Sequence, residues 1–247
     1  MAGDDDDGQP GSRPVRVSVV MPAHQEQDYL EPAVRTVAEG LRRRGLPFEV
    51  VVVENGSTDK TREIAEGLAR ELPEVTLVAL GRADYGAALR AGFLASSGEA
   101  VASFDVDYYD LDFLDQTLVL LDGGADLVIG SKRAPGADDR RAWPRRLVTG
   151  VFVTALQKGF GLEASDTHGM KVGRRHRLLP LVEACRLGTD LFDTELVLRA
   201  ERCGLRLVEV GVDVEEHRPP RTSIARRSAR TLFGLVHLHR VLREGAR

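Results

Sequence analysis

Apolar and polar positions alternate in blocks along the first 133 residues. "VRVSVVMP" (15–22), mostly apolar, reads as a buried strand stopped by Pro22. Apolar residues at helical spacing then predict a helix from about Asp28 to Arg44. "FEVVVVEN" (48–55) is a second β-branched strand, and a helix follows from about Asp59 to Glu71, ended by Pro73. "EVTLVAL" (74–80) is a third strand, 84–96 a third helix, "EAVASFDVD" (99–107) a fourth strand and "ADLVIGSKR" (125–133) a fifth. Strands alternating with helices imply right-handed βαβ units, hence an α/β fold with a mostly parallel central sheet and helices on both faces. Ligands bind outside the carboxyl ends of such strands. That rule gathers "PAHQE", "ENGSTD" and "FDVD" on one rim.

Beyond Arg133 the pattern loosens. "APGADDRRAWPRR" reads as a charged loop, 147–158 as an apolar helix, and 174–186 and 191–203 as two more helices. "LRLVEVGVDV" (205–214) is a late strand. The stretch 223–243 can form a helix with Leu232, Leu235, Val236, Leu238 and Leu242 on one side and most of its arginines on the other. Residues 1–14 hold nothing that could bury and are expected to be disordered. The expected organisation is therefore an acidic tail (1–14), one domain (15–222) and a basic amphipathic helix (223–247).

Charge and composition narrow the classes. A net charge of −4 gives no global basic field for nucleic acid. Cys185 and Cys203 lack CxxC spacing, which argues against a zinc site or a disulfide framework and fits a reducing cytoplasm. No signal peptide is visible, and no apolar run reaches the roughly 18 residues that span a bilayer.

Chemistry concentrates in four places. "SFDVDYYDLDF" (103–113) carries Asp105, Asp107, Asp110 and Asp112 behind an apolar run. Asp105 and Asp107 face opposite sides in regular β geometry, but a bend at the strand end brings both to one hard cation. The alternative is a solvated turn in which Asp110 or Asp112 caps a helix starting near Leu111. "VVENGSTDKT" makes a tight turn and a capped helix start, and its Glu54 and Asn55 also suit the reading of a nucleotide base. "GRADYGAALRAG" (81–92) has glycines for close backbone approach but matches neither a P-loop nor GxGxxG. In "DTHGMKVGRR" (166–175), Asp166 and His168 are an acid/base pair or plain loop residues. His237 and His239, two apart on a helix, point apart and receive no metal role.

Taken in order, these segments resemble the family 2 glycosyltransferases of GT-A (Rossmann-like) fold, and most of all the dolichol- or polyprenol-phosphate mannosyltransferase branch. The likeness runs over residues 15–222, through "VSVVMPAHQEQDYLEPAV", "VVVENGSTDKT", "GRADYGAALRAGFLASSGEAVASFDVD", "DLVIGSKRA", "SDTHGMKVGRR" and "FDTELVLRAERCGLRLVEVGVDVEEHRPPRTSI". It implies donor binding by Pro22, Ala23, Glu26, Glu54, Asn55, Gly56, Gly86 and Asp105. It also implies a DxD motif in which Asp105 and Asp107 hold Mg²⁺ or Mn²⁺ against a donor diphosphate. The sequence departs from the family at Glu54-Asn55, where two aspartates are common, at Tyr108-Tyr109, at "THGM" and at "RPPRTSI".

The implied reaction is an inverting, metal-dependent transfer of a hexose, mannose or glucose, from a GDP- or UDP-sugar to a polyprenyl phosphate. Arg133, Arg218 and Arg221 are candidates to hold phosphate. Asp166 or Glu195 would act as base toward a hydroxyl acceptor, Glu195 being equally readable as a helix N-terminal charge. "RRAWPRR", the apolar run behind it and the basic tail are candidates for docking on the inner face of a membrane. The alternative there is a solvated loop, a core helix and a packing helix. Two competing functions stand beside the first: the same donor chemistry with a soluble sugar, metabolite or protein acceptor, and a non-catalytic nucleotide-sugar-binding module.

Overall fold

The computed structural model describes residues 14–138, 140, 143–188, 191–213 and 234–242. Its elements are β1 (Val17–Ala23), α1 (Leu30–Arg43), β2 (Phe48–Asn55), α2 (Thr61–Glu71), β3 (Val75–Leu80), α3 (Tyr85–Ala95) and β4 (Ala100–Ser103). There follow α4 (Leu111–Asp122), β5 (Leu127–Ser131), α5 (Trp143–Phe160), β6 (Lys171–Arg174), α6 (Arg175–Ala184), α7 (Phe192–Arg202) and β7 (Leu207–Gly211). Residues 234–242 add a helical stretch.

The strands form one seven-stranded sheet in the order β3-β2-β1-β4-β6-β5-β7. All neighbours pair parallel except β6, which runs antiparallel to both β4 and β5. The run of valines in β1 and β2 is explained by burial on two faces. Val17, Val19, Met21, Val50 and Val52 point into a core shared with α1, α2 and α4. Val20, Val51 and Val53 point into a second core with α3, α6, α7 and Leu156 of α5. This is the expected α/β architecture with both sheet faces covered.

The sequence reading missed β6. A four-residue strand that begins with a lysine shows no readable period, yet Lys171 is only 2% exposed. It tolerates burial because its Nζ donates to Asp193 Oδ1 and to the Gly169 carbonyl, both at 2.8 Å. Of the expected C-terminal helix (223–247), only 234–242 lies among the described residues, and there the packing alternative holds. Leu238, Val241 and Leu242 are buried, Leu238 and Leu242 within the second core, whereas Val236 is 70% exposed. The apolar side of 234–242 is thus consumed by packing. No helix among the described residues is long and apolar enough to cross a membrane.

Candidate active site

The chain reverses direction across the sheet between β1 and β4, and the carboxyl ends of β1, β2 and β4 open onto one rim. Pro22 and Ala23 close β1 inside the core. Gln25 follows with φ of 58°, a left-handed value unusual for a side chain. Hydrogen bonds to the next loop fix it there: its N–H donates to Ser57 Oγ, and its Oε1 accepts from the Thr58 and Asp59 N–H groups. Glu26 is buried and its N–H donates to Thr61 Oγ1 at 2.7 Å.

Glu54 and Asn55 build the turn. The Glu54 carboxylate, 1% exposed, accepts from Ser57 N–H at 2.6 Å, and Asn55 Oδ1 accepts from Asp84 N–H at 2.8 Å. Gly56 sits at φ of 65° against the backbone of Arg82, where a Cβ would approach to 2.9 Å, so only glycine lets the two loops meet. Asp84 then caps α3 through the Ala87 N–H, which leaves Gly86 buried in the first turn and Tyr85 half out of it.

Tyr85 reaches the acidic turn. Its hydroxyl donates to Asp105 Oδ1 at 2.9 Å. β4 ends at Ser103, earlier than the sequence pattern suggested, because Asp105 and Tyr108 exchange two backbone hydrogen bonds of 3.1 Å and fold the chain into a turn. Asp105 lies half-buried and Asp107 exposed at its tip. Burial pushes the Asp105 carboxyl up to about 6, with the charges of Asp107 and Asp193 adding to the rise and Tyr85 and Lys171 opposing it. Asp110 caps α4, its Oδ1 accepting from the Asp112 and Phe113 N–H groups. The Tyr108 hydroxyl donates to the Asp213 carbonyl and ties the turn to the end of β7.

This donor set fits a hard divalent ion: two carboxylates on one turn, one of them disfavoured as an anion by its surroundings. No group of three or more His, Cys, Asp or Glu side chains able to hold a metal occurs among the described residues. An ion here would therefore need oxygens from water or a ligand to fill its shell.

The opposite side of the rim is built from buried charge. Asp166, 2% exposed, accepts from the His168 N–H at 2.9 Å and has Lys132 Nζ at 3.9 Å. Burial alone would raise its carboxyl, but Lys132, the His168 N–H and more distant positive charge outweigh that and hold it below the usual range. The Glu209 carboxylate accepts from the N–H groups of Ser165 and Asp166, and Glu201 from those of Glu163 and Ala164. Gly169 packs so closely on the Gly130 carbonyl that a Cβ would lie 1.8 Å from it. Arg133 is exposed, its guanidinium beside Gly150 of α5.

Glu195 does not face the rim as a base would. It is fully buried, accepts from the Arg186 and Leu187 N–H groups, and pairs with Arg199 at 2.7 Å. Arg218 and Arg221 lie outside the described residues. Sequence reasoning missed Tyr85, Lys171 and Asp193. Only the tyrosine carried a signal, being the aromatic residue directly after a helix cap.

Comparison with known proteins places this architecture. The fold is that of the GT-A glycosyltransferases: the glucosyl-3-phosphoglycerate synthase of Mycobacterium tuberculosis, solved with Mn²⁺, UDP and glucosyl-3-phosphoglycerate, superposes with a TM-score of 0.68 at 22% identity, over 90% of this chain and 79% of that one. The "Glycosyl transferase family 2" model matches residues 18–179. An uncharacterized glycosyltransferase of Mycobacterium tuberculosis is 36% identical over 198 residues, 79% of this chain and 84% of that protein. The undecaprenyl-phosphate 4-deoxy-4-formamido-L-arabinose transferase of Pseudomonas aeruginosa is 33% identical over 174 residues, 69% of this chain and 50% of that protein. The chain belongs to glycosyl transferase family 2, and its activity class is glycosyl transfer.

Proposed function

We propose that the protein transfers a hexose, mannose or glucose, from a GDP- or UDP-sugar to the phosphate of a polyprenyl phosphate, with inversion at the anomeric carbon. An acceptor phosphate oxygen attacks the anomeric carbon, and the nucleoside diphosphate leaves with the bonding electrons. Asp105 and Asp107 would hold Mg²⁺ or Mn²⁺, which supplies charge neutralisation to the leaving diphosphate. Tyr85 orients the Asp105 carboxylate. The β1 and β2 loops shape the nucleoside cleft, with Glu26, Glu54, Asn55, Gly56 and Gly86 acting through loop geometry. Arg133 steers phosphate, a part we extend to Arg218 and Arg221.

One observation carries the choice of acceptor. A hydroxyl acceptor needs a base, and the buried carboxylates on the β5–β7 side are already engaged: Asp166 by the His168 N–H and Lys132, Asp193 by Lys171, and Glu195 by three donor groups. A phosphate arrives already ionised and needs positioning and electrostatics alone. The identity with the undecaprenyl-phosphate transferase supports the polyprenyl carrier. The Mn²⁺ and UDP held by the structural relative support the donor and metal.

The test is calorimetric titration with GDP-mannose and UDP-glucose, each with and without Mn²⁺, followed by a transfer assay. Metal-dependent binding of one donor and product formation on a polyprenyl phosphate are expected. Turnover on soluble hydroxyl acceptors but on no phosphate would overturn the acceptor assignment. Binding without turnover on any acceptor would leave a nucleotide-sugar-binding module.

A further inference from the structure

α5 has two sides with different chemistry. Val153 and Leu156 are buried, and the Phe152 ring meets the His168 ring edge-on with centroids 5.7 Å apart. The far side carries Trp143, Leu147 and Val151 at spacings of four residues, exposed by 73%, 58% and 64%, with Val148 at 39% beside them. At 100° per residue these three side chains fall on one stripe opposite the buried side. Four of the nine exposed large apolar side chains among the described residues thus sit on the first half of one helix. Scattered surface apolars are ordinary, whereas a contiguous stripe marks a binding surface.

Charge identifies the partner. From Arg140 to Leu162 the sequence has four arginines and one lysine and no Asp or Glu, in a chain whose net charge is −4. Arg146 and Lys158 are exposed, as is Arg140, whose guanidinium pairs with Asp138 at 2.7 Å. An apolar stripe with an exposed tryptophan and flanking cations suits the headgroup region of an anionic bilayer. Position agrees with this. The inner side of α5 touches the loop carrying Asp166 and His168, and Arg133 lies against Gly150. A bilayer on the outer side would therefore lie one helix diameter, ~10 Å, from the rim of the site.

We infer that the Trp143–Leu147–Val151 stripe of α5 docks the protein on the surface of an anionic phospholipid bilayer. The inference rests on the polyprenyl-phosphate reading and deepens it, because that acceptor's headgroup lies at such a surface. It also separates α5 from the C-terminal helical stretch, whose apolar side is already packed.

Trp143 is the sole tryptophan, so its emission reports the stripe directly. The full-length protein is titrated with phosphatidylcholine vesicles, with or without phosphatidylglycerol. A blue shift confined to the anionic vesicles is expected, with quenching by brominated acyl chains and weakening at about 0.5 M salt. The Leu147→Glu/Val151→Glu variant should lower vesicle partitioning about tenfold or more at an unchanged melting temperature. Val236→Glu, on the C-terminal helical stretch, should change it by less than about twofold. Unshifted and unquenched Trp143 emission would overturn the inference even if the double variant did not fold. So would a blue shift that appears without lipid as protein concentration rises, which would make the stripe a contact between two copies. Donor calorimetry needs no membrane and vesicle binding needs no donor, so failure of the docking and failure of the transfer reading are distinguishable.

Discussion

The two sides of the rim are held in different ways. On the β1–β4 side, polar groups tie successive loops together: Gln25 to the Ser57 hydroxyl and the Thr58 and Asp59 N–H groups, Glu54 to Ser57, Asn55 to Asp84. On the β5–β7 side, charged side chains brace the chain: the buried Lys171 with Asp193 and Glu195 with Arg199, and the partly buried Glu201 and Glu209 under the 163–166 loop. Turn chemistry is cheap to satisfy and mostly local. Buried charge is balanced only while every partner is present. Substitutions on the first side should therefore act mainly on the reaction, and those on the second mainly on the fold.

The largest effect should come from Lys171→Met. It strands the Asp193 carboxylate, 5% exposed, without its ammonium partner. A loss of about 3–5 kcal/mol is expected in denaturant unfolding. Lys171→Met/Asp193→Leu should recover most of it, since replacing both charges removes the stranded one. A double variant as unstable as the single would show that the pair is not the unit that matters.

Next comes Asp107→Asn, on the exposed tip of the turn. A drop of about a hundredfold in kcat/KM is expected, with metal-dependent donor binding lost and the melting temperature unmoved. Unchanged donor affinity would remove the turn from the ion site. The substitution sharpens the comparison because it separates chemistry from stability on the β1–β4 side.

Asp105 tests the same separation by pH. Its folded carboxyl titrates near 6 against an ordinary 3.8, so the folded state binds the extra proton in between. Stability of the metal-free protein should fall as pH rises from about 4 to 6 and level off above. Asp105→Asn should accordingly raise stability at pH 7 by on the order of 2 kcal/mol, with no effect near pH 3, while depressing transfer. In the wild type, Mn²⁺ affinity should climb with pH up to about 6, because proton and ion compete for one carboxylate.

These contrasts also explain what the sequence disclosed. The β1–β4 side was legible because strands buried on both faces write valine runs, and tight turns write Asn-Gly and Ser-Thr-Asp. Residues such as Tyr85 and Lys171 were not. The Tyr85 hydroxyl meets a carboxylate 20 positions away, and Lys171 meets Asp193 in a helix the pattern showed but did not orient. β6 was hidden for the same reason: four residues in antiparallel pairing between β4 and β5 carry no period of their own. Sequence patterns record the local problem each segment solves, and pairings across the fold leave no such record.

Glu195→Gln addresses a residue whose sequence reading stood between base and helix charge. The buried geometry predicts a cost of about 1–2 kcal/mol in stability, from weakening charge-assisted bonds to Arg199 and two backbone N–H groups. Turnover per folded molecule should stay within about twofold. A large fall in kcat with KM and stability preserved would instead make Glu195 a base, and would break the division between the two sides.

The smallest effect belongs to Asp110→Ala. Its carboxylate accepts the Asp112 and Phe113 N–H groups at 2.8 and 3.0 Å, three residues after Asp107. Loss of an N-cap costs about 1 kcal/mol, read as a modest drop in melting temperature. Metal and donor affinity should not change if the cap is the carboxylate's whole role, since its Oδ1 is already committed to two N–H groups of α4. Asp110→Asn, which keeps a capping oxygen, should restore the stability. If donor binding instead collapses in both variants, Asp110 is an ion ligand and not a cap, and the acidic run after β4 works as one cluster with no division of labour.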